Sequence, residues 1–301
     1  MRTALIIPTR NAEAWLDMLI PALQAQSRQP DEWIVVDSES SDRTVERLRA
    51  AGAYVHVIAA SDFNHGGTRQ WAAEQVEADV LIYLTQDAIP KPDCFEVLCR
   101  AFDNSVVGVA YARQLPRVNA GVLEKHARLF NYPDEARIKT LQDKTELGIK
   151  TCFSSDSCAA YRVDALQSVG GFPHDVIGSE DAFVAAKVLL KGWSVHYVAD
   201  ALVEHSHNYS LLEEFRRYFD IGVFYGREQW IAAAFGHAGG EGLRFVKSEI
   251  RALLQEGQWY RTPEVLLRSS LKLLGYKLGQ QEKYIPTAVK KTISMFSKYW
   301  K

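Results

Sequence analysis

The stretch Val80-Leu81-Ile82-Tyr83-Leu84-Thr85-Gln86-Asp87-Ala88-Ile89-Pro90 constrains this chain more than any other. Five apolar residues in a row, followed abruptly by polar ones, predict a strand buried on both faces, as in a parallel sheet. In open α/β sheets, ligands bind beyond the carboxyl ends of the strands. Asp87 therefore stands where a ligand or a metal is expected; the plainer reading is a turn residue ahead of Ile89-Pro90.

The surrounding pattern agrees with a sheet. Strands are predicted at 3–8, 33–37, 54–58, 80–84 and 106–112. Helices fall between them at 12–26, from the polar turn 38–42 to 50, from Gly66-Gly67 onward, and at 93–102. This alternation predicts a doubly wound α/β sheet over about the first 115 residues. Residues 116–150 read as a helical excursion or a mobile loop. Order returns at 151, with 158–169 partly helical, a turn at 170–173, a helix at 180–191 and short strands at 194–198 and 201–205. Ser210-Leu211-Leu212-Glu213 is a capping box. Beyond it the pattern is almost wholly helical, with breaks near 236–240, 257 and 286, so a boundary is placed near 209.

Composition removes several function classes. A formal net charge of −2 argues against a dedicated nucleic-acid binder. The four cysteines form no C-x-x-C pair, so zinc is not expected, and a reduced, cytoplasmic setting fits. The chain enters a strand at once without a signal-peptide pattern, and no apolar run reaches 18 residues.

Five places carry chemistry. Pro8-Thr9-Arg10-Asn11 joins the first strand to a helix N-terminus, an anion site by dipole and free N–H groups, or a simple cap at Asn11. Asp37 ends the second strand beside Ser38; a carboxylate there can bind a ribose or base, or cap the next helix. In Asn64-His65-Gly66-Gly67-Thr68-Arg69 the glycines allow close backbone approach to a ligand, and Arg69 lies one turn into the helix. Glu180 and Asp181 open a helix whose dipole favours ionised carboxylates, as a general base requires. His205 and His207 share one face of a strand and could ligate metal.

In this order, the pieces resemble the family 2 glycosyltransferases of the GT-A fold, closest to bacterial rhamnosyltransferases. The resemblance rests on residues 6–11, 35–42, 63–69, 84–88, 170–172, 179–181 and 205–210 and covers about 3–225. It implies a GT-A catalytic domain at 1–209 (a nucleotide-sugar half at about 1–115, an acceptor half at 116–209) and a helical region at 210–301. It implies an inverting, metal-dependent transfer from a nucleotide-diphosphate sugar, with dTDP-L-rhamnose as the expected donor. The acceptor would be a saccharide, free or lipid-linked, in O-antigen or capsule synthesis. Pro8, Thr9, Arg10, Asn11, Asp37, Ser38, Asn64, Gly66, Gly67, Arg69 and Gln86 would bind the donor. Asp181 would be the base and Glu180 its orienting neighbour. Asp87, with His205 favoured over His207, would hold Mg²⁺ or Mn²⁺. Where the family often has Asp-x-Asp this chain has Thr85-Gln86-Asp87, so metal affinity without nucleotide should be weak.

Residues 276–301 carry six lysines against one acid, interleaved with aromatic residues. That pattern suits an anionic membrane surface on the inner face of the cell membrane, or packing on the domain or a homodimer partner. Other functions fit parts of the pattern: a transferase using another nucleotide sugar, a nucleotidyltransferase, which would want a glycine-rich basic loop after the first strand, and a non-catalytic sugar-nucleotide binder, which would not need Asp87 or Asp181.

Overall fold

The computed structural model describes residues 1–236 and 239–300. His237 and Ala238, within the expected break at 236–240, and Lys301, the last of the six lysines, lie outside the described residues. The strands are β1 (Thr3–Thr9), β2 (Glu32–Asp37), β3 (Tyr54–Val57), β4 (Val80–Leu84), β5 (Ile89–Pro90), β6 (Val107–Leu115), β7 (Arg137–Lys139), β8 (Cys158–Arg162) and β9 (Ser194–Glu204). Among the described residues they form one sheet in the order β3-β2-β1-β4-β8-β6-β9-β5, with β7 also on β9. The first four strands are parallel, and the chain reverses direction across the sheet between β1 and β4. That reversal is where an open α/β sheet leaves a ligand crevice.

The expected α/β alternation is present, with α1 (Glu13–Gln24), α2 (Thr44–Ala50), α3 (His65–Ala73) and α4 (Cys94–Arg100) between the strands. The partly helical stretch expected at 158–169 holds only for its second half. Residues 158–162 are a strand, β8, inserted antiparallel between β4 and β6; only α7 (Val163–Ser168) is helical. Alanine favours helix in isolation, but here the strand is squeezed on both faces. Ala159 and Tyr161 pack into the core cluster of Tyr83, while Cys158 and Ala160 pack into that of Leu84. Small side chains suit that doubly covered position, and packing overrides propensity. The two short strands expected at 194–205 are one strand, β9, whose pairing with β6 slips between Val198 and Leu202. The slip is a bulge that turns the strand's last residues toward the crevice. The region 116–150 contributes α5 (Val122–Asn131) and β7.

Beyond α8 (Glu180–Leu190) and β9, the chain forms α9 (Leu211–Arg227), α10 (Gln229–Phe235), α11 (Glu241–Gln255), α12 (Thr262–Gln280) and α13 (Thr287–Ile293). Ser210 and Glu213 form the expected capping box of α9. A feature not read from the sequence joins α9 to α12. Gly222 and Gly226 face Gly275 and Gly279 across a crossing so close that a Cβ on Gly279 would lie 2.1 Å from the Phe219 carbonyl oxygen. A Cβ on Gly222 would lie 2.2 Å from that of Tyr276. Paired small-xxx-small spacings are the sequence sign of such contact.

The last residues do not form a free basic amphipathic helix. α12 ends at Gln280 and α13 is seven residues long. Trp300 is buried in the same cluster as Ile6, Tyr83 and Phe219. Phe296 packs on His65 and against Gly178. Lys290 pairs with Glu282, and Lys298 donates to the Ala60 carbonyl. Phe296 and Trp300 of this segment pack on the protein's own core, while Lys277, Lys283, Tyr284 and Lys291 stay exposed. Among the described residues, no helix is long and apolar enough to cross a membrane.

Candidate active site

A cavity of about 840 Å³ opens where β4 and β9 end, and α5, α9 and α12 contribute to its wall. Asp87, His205, His207, Glu180, Asp181 and Arg69 all line it. The two-residue strand β5 explains the first three. It pairs antiparallel with the end of β9, Ile89 opposite Glu204, and so sets Asp87 across from the residues that follow β9.

The Asp87 Oδ2 lies 3.5 Å from His205 Nε2 and 3.6 Å from His207 Nε2. One ligand atom from each of the three lies within 4.8 Å of the others. The protonation of His205 follows from its neighbours. Arg128 Nη1 donates to the Gln114 side chain at 2.7 Å, and a guanidinium can only donate. The atom receiving it is therefore the amide oxygen, Oε1; the amide nitrogen donates to Ser155 Oγ. The same Oε1 lies 2.9 Å from His205 Nδ1, so Nδ1 carries the proton. Nε2 is left bare, facing a carboxylate. Burial pushes the pKa of His205 down, and burial with the nearby His205 takes His207 down to about 4, so both rings are neutral near pH 7. Two neutral imidazoles and a carboxylate in contact form a donor set that fits a divalent cation, with the second nitrogen of His205 held in the manner usual for metal-ligating histidines. Mixed nitrogen and oxygen donors favour Mn²⁺ over Mg²⁺.

Asp181 opens α8 after Ser179, whose φ of +61° is a strained, left-handed conformation for a non-glycine residue. Behind Asp181 lies a buried charge cluster. Arg69 Nε is 3.0 Å from Asp156 Oδ2, and its Nη1 is 2.9 Å from Glu180 Oε1. Tyr161 donates to Asp156, and Arg69 also donates to the His65 carbonyl. Burial, then Asp156 and Glu180, push the Asp181 carboxyl up to about 8. Glu180 moves the other way: burial opposes it, but Arg69 and then His65 draw its pKa down. The pair is split, one carboxylate held ionised by arginine and the other made a stronger proton acceptor. Such a split separates a proton acceptor from an ionised neighbour.

Two expectations change here. Arg69 does not present a free charge to a ligand; its guanidinium is buried between two carboxylates. Gly66 and Gly67 make room for protein: a Cβ on Gly66 would lie 1.9 Å from the Pro173 carbonyl oxygen, and one on Gly67 would lie 2.8 Å from His174 Nδ1.

Of the remaining candidates, Pro8, Thr9, Arg10, Asn11, Asp37, Ser38, Asn64 and Gln86 lie outside this cavity's lining. Residues 8–11 and 37–38 lie at the ends of β1 and β2, Gln86 follows β4, and Asn64 precedes α3. Asp37 is fully buried and accepts from Thr9 Oγ1 at 2.8 Å and Ser40 Oγ at 2.6 Å. Ser38 is buried with its hydroxyl unpartnered. Gln86 grips the Arg10 backbone at both its N–H and its carbonyl. Asn11 does not cap α1: its φ is +47° and its side chain accepts from Ser41 N. Asn64 does cap α3, through Gly67 N at 2.8 Å.

Asp156, Gln114 and Arg128 escaped the sequence reading. Asp156 sits in Ser154-Ser155-Asp156-Ser157, a polar run directly before an apolar segment. It would have stood out had 158–162 been read as a strand, since it then ends the crevice side of that strand as Asp87 does for β4.

Residues 4–170 match the family model described as glycosyl transferase family 2. The chain is 44% identical to the O-antigen chain rhamnosyltransferase RfbN of Salmonella typhimurium, over 100% of this chain and 96% of that one. It is also 44% identical to the O-antigen chain rhamnosyltransferase WbaN of Salmonella anatum, over 98% and 95%. Among solved structures it resembles the mannosyltransferase PcManGT of Pyrobaculum calidifontis, in complex with GDP-Man and Mn²⁺, with a TM-score of 0.59 and 18% identity over 99% of this chain and 84% of that one. It also resembles S. aureus TarS in complex with UDP-GlcNAc, with a TM-score of 0.53 and 16% identity over 94% and 91%. At these identities the structural likeness carries the fold.

Proposed function

Since the chain belongs to glycosyl transferase family 2, we propose that it moves L-rhamnose from dTDP-L-rhamnose to a saccharide acceptor in O-antigen synthesis, with inversion at the anomeric carbon. It is a glycosyltransferase with the GT-A fold. The observation that carries the mechanism is one cavity holding both the base candidate, Asp181, and the Asp87–His205–His207 trio.

Asp181 takes the proton of the acceptor hydroxyl. The freed oxygen bonds to the anomeric carbon from the side opposite the diphosphate. The bond from that carbon to the diphosphate oxygen breaks, and its electron pair leaves with the nucleoside diphosphate. One displacement inverts the centre and needs no covalent enzyme intermediate. A divalent cation held by Asp87, His205 and His207 would supply positive charge for the departing diphosphate. Glu180 and Arg69 hold the α8 terminus in place through their ion pair. Thr9, Asp37 and the loop clamped by Gln86 face the donor's nucleoside in this reading.

A thermal-shift panel of nucleotide sugars, with and without Mn²⁺, tests the donor. Binding raises apparent stability by mass action, so dTDP-L-rhamnose should give the largest shift, and a larger one with metal than without. A larger shift from another nucleotide sugar replaces the donor.

The acceptor side has a second surface. Leu266, Leu267, Leu273 and Leu274 are exposed on α12, on the face turned away from Gly275 and Gly279. Exposed Trp259 and Tyr260 precede them, and exposed Lys277 and Lys283 follow. An apolar face with flanking lysines and no acid on it fits an anionic bilayer. Co-sedimentation with phosphatidylglycerol vesicles should be lost in Leu273→Ser/Leu274→Ser. A dimer that dissociates in the same variant would assign the face to a second copy instead.

A further inference from the structure

The cavity's cations are unequal. Arg69 is held by Asp156 and Glu180, Arg268 by Glu214 and Glu264, and Lys272 by Glu214. Arg128 and Arg217 also line the cavity, yet among the described residues neither has a carboxylate within 4.0 Å. Both are tied to the metal-capable trio. Arg128 reaches His205 through the Gln114 amide, 2.7 Å and then 2.9 Å. Arg217 lies over the Tyr209 ring, 5.9 Å from its centroid, and Tyr209 stacks on His207 at 5.0 Å. The Nε of Arg128 is buried without a hydrogen-bond partner.

An unpartnered buried donor is costly and calls for an acceptor that the protein itself does not provide. Two guanidiniums without counter-ions, flanking a carboxylate–imidazole trio on two sides, leave room for a ligand that carries more than one negative charge. Guanidiniums are matched in geometry to phosphate oxygens. We propose that Arg128 and Arg217 are the clamp for the donor's diphosphate, a role for which Arg69 is not free because Asp156 and Glu180 hold it. Arg128 binds on the side of His205 and also fixes the orientation of that ring. Arg217, carried on α9 and exposed, closes from the side of His207. The proposal rests on the nucleotide-sugar reading above and adds to it the residues that receive the leaving group.

The test is calorimetric binding of dTDP, without metal, to the wild type, Arg217→Ala and Arg217→Lys, with dTMP as the control. Arg217 is exposed, so its replacement should leave the fold intact; circular dichroism checks this. Arg217→Ala should weaken dTDP by about tenfold or more, the scale of one charged hydrogen bond, and change dTMP by less than about twofold. Arg217→Lys should recover part of the loss. Arg128→Gln should weaken dTDP similarly and also weaken Mn²⁺ binding, because the His205 ring loses its anchor. Equal dTDP affinity in wild type and Arg217→Ala overturns the clamp while leaving the nucleotide-sugar reading standing. A wild type that binds no nucleoside diphosphate overturns that reading itself. Farnesyl diphosphate is a further arm: if Arg217→Ala loses it but keeps dTDP, the arginine serves a lipid-linked diphosphate and not the donor's, and the proposed clamp falls.

Discussion

Asp181→Asn should lower kcat by about 10²- to 10⁴-fold, the usual contribution of a positioned general base. The amide keeps the shape of the carboxylate and its contact with the Ala182 N–H but cannot take a proton. Donor affinity should change little, because Asp181 acts on the acceptor. The pH dependence follows in sign. Burial and two carboxylate neighbours push Asp181 up to about 8. Below that value the base is protonated and inactive, so turnover should climb as pH rises through it. Asp156→Asn removes one of the negative neighbours and should move that rising limb to lower pH. Steady-state rates from pH 6 to 9.5 check both statements. Full activity in Asp181→Asn would remove it as the base, and an unmoved limb in Asp156→Asn would leave burial and Glu180 as the causes of the shift.

The second large effect is expected at Asp87. It is the one carboxylate in a trio whose other members are neutral imidazoles, so the protein offers a dication a single negative charge. Affinity for metal alone should be weak, and metal and donor should bind together, the phosphates completing the shell. Asp87→Ala should lower metal-dependent donor binding by about 100-fold or more, since loss of outer partners of a metal ligand alone costs roughly 10–100-fold. Metal-free binding of the nucleoside diphosphate should persist, held by the groups around Asp37 and by the arginines. Calorimetric titration of donor with and without Mn²⁺ separates the two. Retained metal-dependent binding in Asp87→Ala would place the cation elsewhere.

The family, the GT-A fold and the reaction class were legible because they rest on local signals. A five-residue apolar strand, strand–helix alternation and short polar runs at strand ends are all contiguous in the sequence. β8 was not legible, because an alanine-rich pentapeptide becomes a strand only through neighbours 80 to 110 residues from the N-terminus. The fate of Arg69 was hidden for a related reason. Its position one turn into α3 is visible in the sequence, but its partners Asp156 and Glu180 lie far along the chain, and only the folded core shows that they consume its charge. Gln114 gave no signal at all: a glutamine in a strand acquires meaning only when an arginine and a histidine converge on one oxygen. The C-terminal segment was legible only in part, because composition does not say which of its faces is covered: Trp300 is buried while Lys277 and Lys283 are exposed.

The glycine crossing of α9 and α12 has an evolutionary consequence. With backbone against backbone, the distance between the two helices is set by atoms that no substitution can trim. Tyr218 on one helix, and Arg268 and Lys272 on the other, project from that crossing into the cavity. The crossing works as a rigid mount with interchangeable fittings. A lineage can exchange the cavity-facing side chains, and with them the sugar or linkage accepted, without re-solving how the wall is assembled. Divergence in acceptor choice should therefore gather on those faces and leave the four glycines alone.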